Sequence, residues 1–430
     1  MTNDVRGNAF TRLVGAATKV APHEFKATLL SFLFVFILMT AYFILRPVRD
    51  ALSSDWTDVQ LSWLWTSTFV FSAVAVSIYG GVISRLRFKI IVPTVYAIFA
   101  STFVGFYIAG LTLGENDLVN RAFYVWLSVF SLFHLSVFWS FMSGIYNKDQ
   151  AKRLFSIIAL GATAGAIVGP TVPTFFADDI GALNLLLIAA VLLLLPIPLI
   201  GVLERLRSVD LGNADLQADL SKQQTLGANP FSGFANVASN PYLLAIAAFI
   251  IFYVIMNTFI YFELRSALGE FERDVRAQYW GGIDLAVNTL AAVTALFATG
   301  RLATRAGMPT TLALVPALMV GGWLIVAVNP ALMVLIGLQV ARRAGNYAIT
   351  RPGREMLYTI VDAETRFKAK PVIDTVVYRG GDVASAWLYT AITATLGLGL
   401  AGVALVSAVL CAAWAGAGVF LGRKYDRTAA

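Results

Sequence analysis

Twelve stretches of mostly apolar residues divide the chain, at about 27–45, 60–82, 90–112, 122–146, 155–177, 182–203, 241–263, 280–299, 309–328, 331–350, 371–396 and 398–421. Each is close to the ~20 residues that an α-helix needs to cross a bilayer. The strands of an outer-membrane barrel are ~10 residues long and alternate, whereas these runs are longer and continuous. The pattern predicts an all-α polytopic membrane protein of twelve spans. No small-x-small cleavage site follows the first run, so it reads as a retained helix. The longest polar stretch, 204–240, contains Asp210, Asp215, Asp219, Gln223, Gln224, Asn229 and Pro230. It predicts a cytoplasmic linker between an N-terminal six-helix half, 1–203, and a C-terminal half, 241–430.

The two halves resemble each other at a nearly fixed offset. Tyr42-Phe43-Ile44-Leu45-Arg46 ends span one, and Tyr261-Phe262-Glu263-Leu264-Arg265 ends span seven. Gly80-Gly81-Val82-Ile83-Ser84-Arg85 follows span two, and Gly300-Arg301-Leu302-Ala303-Thr304-Arg305 follows span eight. An offset that contains six spans preserves orientation, so the repeat is parallel. Secondary transporters use such halves, with solute bound near the midplane. The glycine–arginine turns resemble the loop motif of the major facilitator superfamily, although Ser84 and Thr304 stand where its acidic residue is usual.

Composition supports the membrane reading. Of 430 residues 58% are hydrophobic and 13% charged, against roughly 25% charged in soluble chains. That excludes a soluble enzyme, a disordered chain and a disulfide scaffold. With Cys411 as the single cysteine and His23 and His134 as the histidines, no metal or haem cluster is expected. No Gly-x-x-x-x-Gly-Lys-Ser/Thr loop occurs. No cofactor is called for, and transport would be secondary. The net charge of +7 fits basic cytoplasmic loops rather than nucleic-acid binding. With the N-terminus inside, 25 of the 32 lysines and arginines fall on the cytoplasmic side, which places both termini there.

Charge inside a bilayer is expensive, so ionisable residues within or beside spans are the candidates for function. Arg46 and Arg49 flank Pro47 at the end of span one and share a helix face. Two guanidiniums suit a phosphate or carboxylate; the alternative is an interfacial pair answered by Asp50. Span seven carries Asn257 and Tyr261 on one face, then Glu263, for which the simpler expectation is pairing with Arg265. Span four contains His134, Trp139 and Asn147; His134 is either a proton site or a packing residue, and Trp139 a core residue. Span eight holds Asp284 and Asn288. The densest cluster is Arg342, Arg343, Asn346, Tyr347, Arg351, Arg354, Glu355, Asp374, Arg379 and Asp382. Pro352-Gly353 is a break that can unwind the helix there. Asp374, Tyr378 and Asp382 form a polar stripe at helical spacing, either facing solute or closing a gate.

Pro352-Gly353-Arg354-Glu355-Met356-Leu357-Tyr358, then Lys368-Ala369-Lys370-Pro371-Val372-Ile373-Asp374, then Arg379-Gly380-Gly381, resembles the bacterial and plastid nucleotide transporter family. Arg46-Pro47-Val48-Arg49-Asp50 also resembles that family's first-helix end. The resemblance implies a major-facilitator-type ATP/ADP exchanger, with Arg354, Glu355 and Asp374 in the pathway and Arg46 and Arg49 as phosphate ligands. Two departures bear on specificity: Arg354 replaces a lysine, and Asp382 stands where the family has a basic residue.

The sequence thus predicts a secondary carrier of an anionic solute, in first place a nucleotide, by alternating access. Expected substrate ligands are Arg46, Arg49, Arg354, Glu355, Arg379, Tyr347, Asn346, Asn257 and Tyr261. Asp284, Asp374, Asp382 and His134 are the coupling or gating candidates. A central cavity would be lined mainly by spans one, four, seven, eight, ten and eleven. The partners are the solute and the lipid bilayer, with no nucleic acid, and a monomer is compatible. The bacterial inner membrane is the expected location. Two other readings are a proton-coupled carrier for an organic anion or drug, and a membrane sensor that keeps the fold without transport.

Overall fold

The computed structural model describes residues 20–83, 88–213, 232–295, 306–361, 369–370 and 372–429. All twelve apolar stretches are helical there, to within a few residues at their ends. No strand occurs among the described residues. Helices α1 Phe25–Leu52, α2 Asp58–Ile83, α3 Phe88–Leu113, α4 Asp117–Ile145 and α5 Lys148–Ile180 form spans one to five. Span six is interrupted at Leu195 into α6 Ala182–Leu194 and α7 Pro196–Val209, with Pro196 opening the second. A short helix, α8 Ser232–Ser239, precedes α9 Pro241–Leu268, α10 Arg273–Thr294, α11 Gly307–Val328 and α12 Leu332–Gly345. Then come α13 Arg351–Leu357, α14 Tyr378–Thr390 and α15 Leu400–Ala429. Among the described residues, eight helices are long and apolar enough to cross a membrane by length and composition alone. The repeat's turns at Ser84, Arg85 and 300–305, most of the linker from Asp215 to Pro230, and Lys222, Arg366 and Lys368 lie outside the described residues.

Two compact units emerge, Met1–Arg49 with Phe71–Leu226, and Asp50–Val70 with Gly227–Ala430. In the first, α5 starts at a capping box. The Asn147 side chain accepts the N–H groups of Asp149 (3.1 Å) and Gln150 (2.9 Å), and Gln150 Oε1 accepts the Asn147 N–H. Such a cap satisfies otherwise orphaned helix N–H groups. Asn147 also donates to Asn213, so it ties the end of span six to the start of span five. Nearby, the buried Glu24 accepts both Arg153 Nη1 (3.0 Å) and Nη2 (2.7 Å), and the N–H of Ala21. Burial pushes its carboxyl up, but the Arg153 hydrogen bond and charge and the Ala21 N–H outweigh this and hold it below the usual value.

Span one and span five meet along glycines. A Cβ on Gly161 would stand 2.5 Å from the Phe32 carbonyl oxygen, and one on Gly169 2.7 Å from that of Thr40. Between them, a Cβ on Gly165 would collide with the Phe36 carbonyl. Three glycines four residues apart thus let two backbones touch, the small-residue packing that membrane helices use in place of hydrophobic drive. An aromatic core from Phe34, Phe99, Phe103, Phe130 and Phe138 fills the rest of this unit. Trp139 is half-buried and packs on Phe138 and Phe155 at the edge of that core.

The first helix differs from expectation. It does not end at Arg46 but runs through Pro47 to Leu52. Proline removes one helix hydrogen bond at substantial cost. The offset is packing: Val48, Asp50, Ala51 and Leu52 are all buried.

Gly165→Leu is expected to lower the melting temperature and folded yield of the purified protein sharply. Gly201→Leu, at a position with open space around it, is expected to leave both near wild type. Differential scanning fluorimetry on the two variants checks this.

Candidate functional site

In the first unit, the unbroken α1 carries Arg46 and Arg49 within the span rather than at its end. The Arg49 guanidinium lies 5.3 Å from the centroid of the Tyr124 ring, and its Nη1 donates to Ser128 Oγ at 3.3 Å. Arg46 lies 5.9 Å from the Phe43 ring. The Asp50 carboxylate accepts the Tyr261 hydroxyl at 3.2 Å within the second unit. His134 is buried, stacks on Tyr42 at 4.6 Å, and has Nδ1 3.2 Å from the Phe130 carbonyl oxygen. Its own backbone carbonyl accepts the Tyr96 hydroxyl. This is the geometry of a packed residue.

In the second unit, residues 50–70 pack against α9, α10 and α14. Arg265 is buried, pairs with Asp58, and donates to the Ser53 and Trp56 carbonyls. Asp58 also accepts the Thr393 hydroxyl at 2.9 Å. Arg273 and Arg276 both reach Asp55, at 2.8 and 2.5 Å. The expectation that Glu263 pairs with Arg265 is therefore corrected. Asp58, 207 positions away, takes that arginine, and Glu263 is instead buried and hydrogen-bonded by the Tyr389 hydroxyl. No sequence spacing foretells such a partner. Trp65 and Trp280 pack on Tyr261, so this tyrosine belongs to the packed core around Asp50.

Two adjacent arginines of α12 have opposite environments. Arg343 and Asp284 are both almost fully buried, with Nη1 and Oδ1 2.5 Å apart. Asp284 is thus half of a buried ion pair. Arg342 is 0% exposed. Its Nη2 donates to Asn257 Oδ1 at 2.8 Å and to Gln339 Oε1 at 2.9 Å, and its guanidinium lies 5.5 Å from the Tyr253 ring centroid. Both arginines lie inside α12. Asn257 is therefore an arginine ligand, and it does not share a polar face with Tyr261 in any common contact.

After α12 the chain widens into a π turn, Asn346–Thr350, before α13. The disturbance comes before Pro352-Gly353 and not at it, because Pro352 has no N–H to give to the preceding turn. π turns concentrate at functional sites. Asn346 is buried in this turn, and Tyr347 is exposed. A second π turn, Val372–Val377, precedes α14. It breaks the expected stripe, since Asp374, Tyr378 and Asp382 no longer lie on one regular α-helix. Asp374 lies 3.5 Å from Arg354, which is also 3.5 Å from Glu355. Lys370 closes the set at 2.5 Å from Glu355. Burial raises the Glu355 carboxyl, but the Lys370 hydrogen bond and charge, with the charge of Arg354, hold it below its ordinary value. Asp382 instead meets Arg379, at 3.6 Å and one turn away. An apolar groove lined by Ile251, Ile255, Val376, Gly380 and Leu388 lies on this unit. Its lining carries no charged side chain to hold an anion.

The sequence profile described as Major Facilitator Superfamily matches residues 28–345. Among solved structures, a POT family transporter in complex with 5-aminolevulinic acid is similar at TM-score 0.63 and 11% identity, over 93% of this chain and 96% of that one. A bacterial homolog of the human lysosomal transporter Spinster, inward-facing and unoccupied, gives 0.57 and 12%, over 95% and 98%. The inward-open xylose transporter XylE from E. coli gives 0.58 and 11%, over 90% and 94%. At these identities the likeness establishes the fold alone. No curated protein matches the chain in sequence.

Asp284→Asn is expected to destabilise the protein by about 3–5 kcal/mol, the usual effect of stranding one member of a buried ion pair. Adding Arg343→Gln to it is expected to restore much of the loss. Melting temperatures of the single and double variants in detergent check this.

Proposed function

The chain belongs to the major facilitator superfamily, an all-α fold of twelve spans in two parallel six-helix repeats, and we propose that within it this protein is a secondary carrier of an anionic solute. It is an integral membrane protein of the transporter type. The observation that carries the anionic assignment is the course of α1: because the helix continues through Pro47, Arg46 and Arg49 stand a turn apart inside a span. Guanidiniums so placed match carboxylate and phosphate geometry.

Nucleotide exchange is the specific reading, carried out by alternating access in a bacterial inner membrane with both termini in the cytoplasm. It is supported by the meeting of Arg354, Glu355, Asp374 and Lys370. These residues carry the resemblance to the ATP/ADP antiporters, and here they converge although up to 20 positions separate them. Arg354 and Lys370 supply positive charge, and the two carboxylates hold it in place when no solute is present. A buried arginine without its anion is unfavourable. The loaded carrier therefore crosses more readily than the empty one, which gives obligatory exchange.

A proton-coupled carrier is the second reading, and Glu263 favours it. That carboxylate is buried and held by Tyr389, while the neighbouring Arg265 is engaged by Asp58.

In proteoliposomes without an ion gradient, uptake of labelled ATP is expected to require ADP inside. Arg49→Gln is expected to reduce that exchange about ten- to a hundredfold, the value of one or two charge-assisted hydrogen bonds. Uptake driven by a pH gradient into empty vesicles would favour the second reading. Exchange unchanged in both Arg46→Gln and Arg49→Gln would remove the first-helix assignment.

A further inference from the structure

The arginines on the helices of the second unit are answered in different ways. Arg343 has Asp284, Arg265 has Asp58, Arg354 has Asp374 and Glu355, and Arg379 has Asp382. Arg342 makes no ion pair among the described residues, although it is the most deeply buried of them at 0% exposure. Its neighbours are two neutral amides, Asn257 and Gln339, the face of Tyr253 and, within electrostatic reach, the buried Cys411 thiol. One end of the guanidinium, Nη1, is buried and has no hydrogen-bond acceptor.

We propose that Arg342 is an oxyanion anchor: its Nη1 receives a phosphate or carboxylate oxygen of the transported solute. This rests on the anionic-carrier reading and adds to it a site in span ten that the resemblance does not assign.

Three physical points support the anchor. A guanidinium sealed in a low-dielectric interior without a counter-charge is unstable by itself, and the cheapest remedy is an anion. The existing contacts occupy Nη2 and Nε and leave Nη1 open, so an incoming oxygen displaces no hydrogen bond. The amides and the ring fix the guanidinium plane in advance, which lowers the entropy lost on binding. The helix end is a poor substitute for an anion, because the carbonyls of Arg342 and Arg343 already accept the Asn346 N–H at the start of the π turn. In the present conformation Nη1 is sealed, so the solute reaches it in the conformation that opens this face. The adjoining π turn is a place where the helix can reshape.

The test compares melting temperatures of wild type, Arg342→Gln and Asn257→Asp, each in phosphorus-free detergent and titrated with ATP, inorganic phosphate and succinate. Asn257→Asp places a carboxylate where Nη2 now meets an amide oxygen, so it supplies the missing counter-charge from within. It is expected to melt higher than wild type without ligand, and to show at least about tenfold weaker dependence on the anion that stabilises wild type. Arg342→Gln is expected to lose that dependence similarly. The three probes separate a phosphate from a carboxylate as the group received. Should Arg342→Gln fail to fold, Asn257→Asp decides alone. A purely structural Arg342 predicts that Asn257→Asp keeps the wild-type anion dependence, and that result overturns the anchor while leaving the carrier reading intact. A wild type stabilised by none of the three anions overturns both.

Discussion

A guanidinium cannot be left alone in a medium that solvates it poorly, and much of this structure can be read as a set of answers to that constraint. Charged side chains within spans are costly unless something replaces their water. In the first unit, Arg49 is met by a ring and a hydroxyl, while at the helix start the buried carboxylate of Glu24 draws the half-exposed Arg153 onto itself. In the second, Arg265 draws Asp58 and two carbonyls around itself, and Arg343 takes Asp284. These ties lock residues 50–70 onto α9, α10 and α14, and α10 onto α12. On the proposed reading, the cations not tied to a carboxylate are the ones that would favour an anionic solute.

The same constraint separates structural from transporting charge. A carboxylate within ion-pair distance neutralises an arginine permanently; amides and aromatic faces orient it and leave its charge in place. Arg343 and Arg342 are neighbours in sequence and take opposite sides of this division. The cluster of Arg354, Glu355, Asp374 and Lys370 lies between the two, since its cations are paired with carboxylates that are themselves half exposed. Such pairs exchange partners at modest cost, which is what the proposed pathway role would require.

Much of the fold was legible in the sequence because a span's signal is local: about twenty apolar residues announce themselves without reference to the rest of the chain. The twelve helices follow from it. The resemblance singled out Arg354, Glu355 and Asp374 but not their contact, which the fold supplies. What was hidden depended on distant or three-dimensional relations. Asp58 as the partner of Arg265 is set by packing across 207 positions. The passage of α1 through Pro47 depends on burial of the turn after it. The π turns at 346–350 and 372–377 add residues to a helix without altering its composition, so a stripe at regular spacing was expected where two separate contacts occur. The packing of Gly161, Gly165 and Gly169 on α1 and the pairing of Glu24 with Arg153 involve residues that, taken singly, look unremarkable.

If uncompensated arginine charge is what selects the solute, binding must follow the charge of the ligand and not its apolar body. Isothermal titration of the purified protein with ATP and with adenosine, at low and at moderate ionic strength, measures this directly. The account predicts heat and saturation with ATP, weakening as salt rises, and none with adenosine. Equal binding of adenosine and ATP, insensitive to salt, would contradict it.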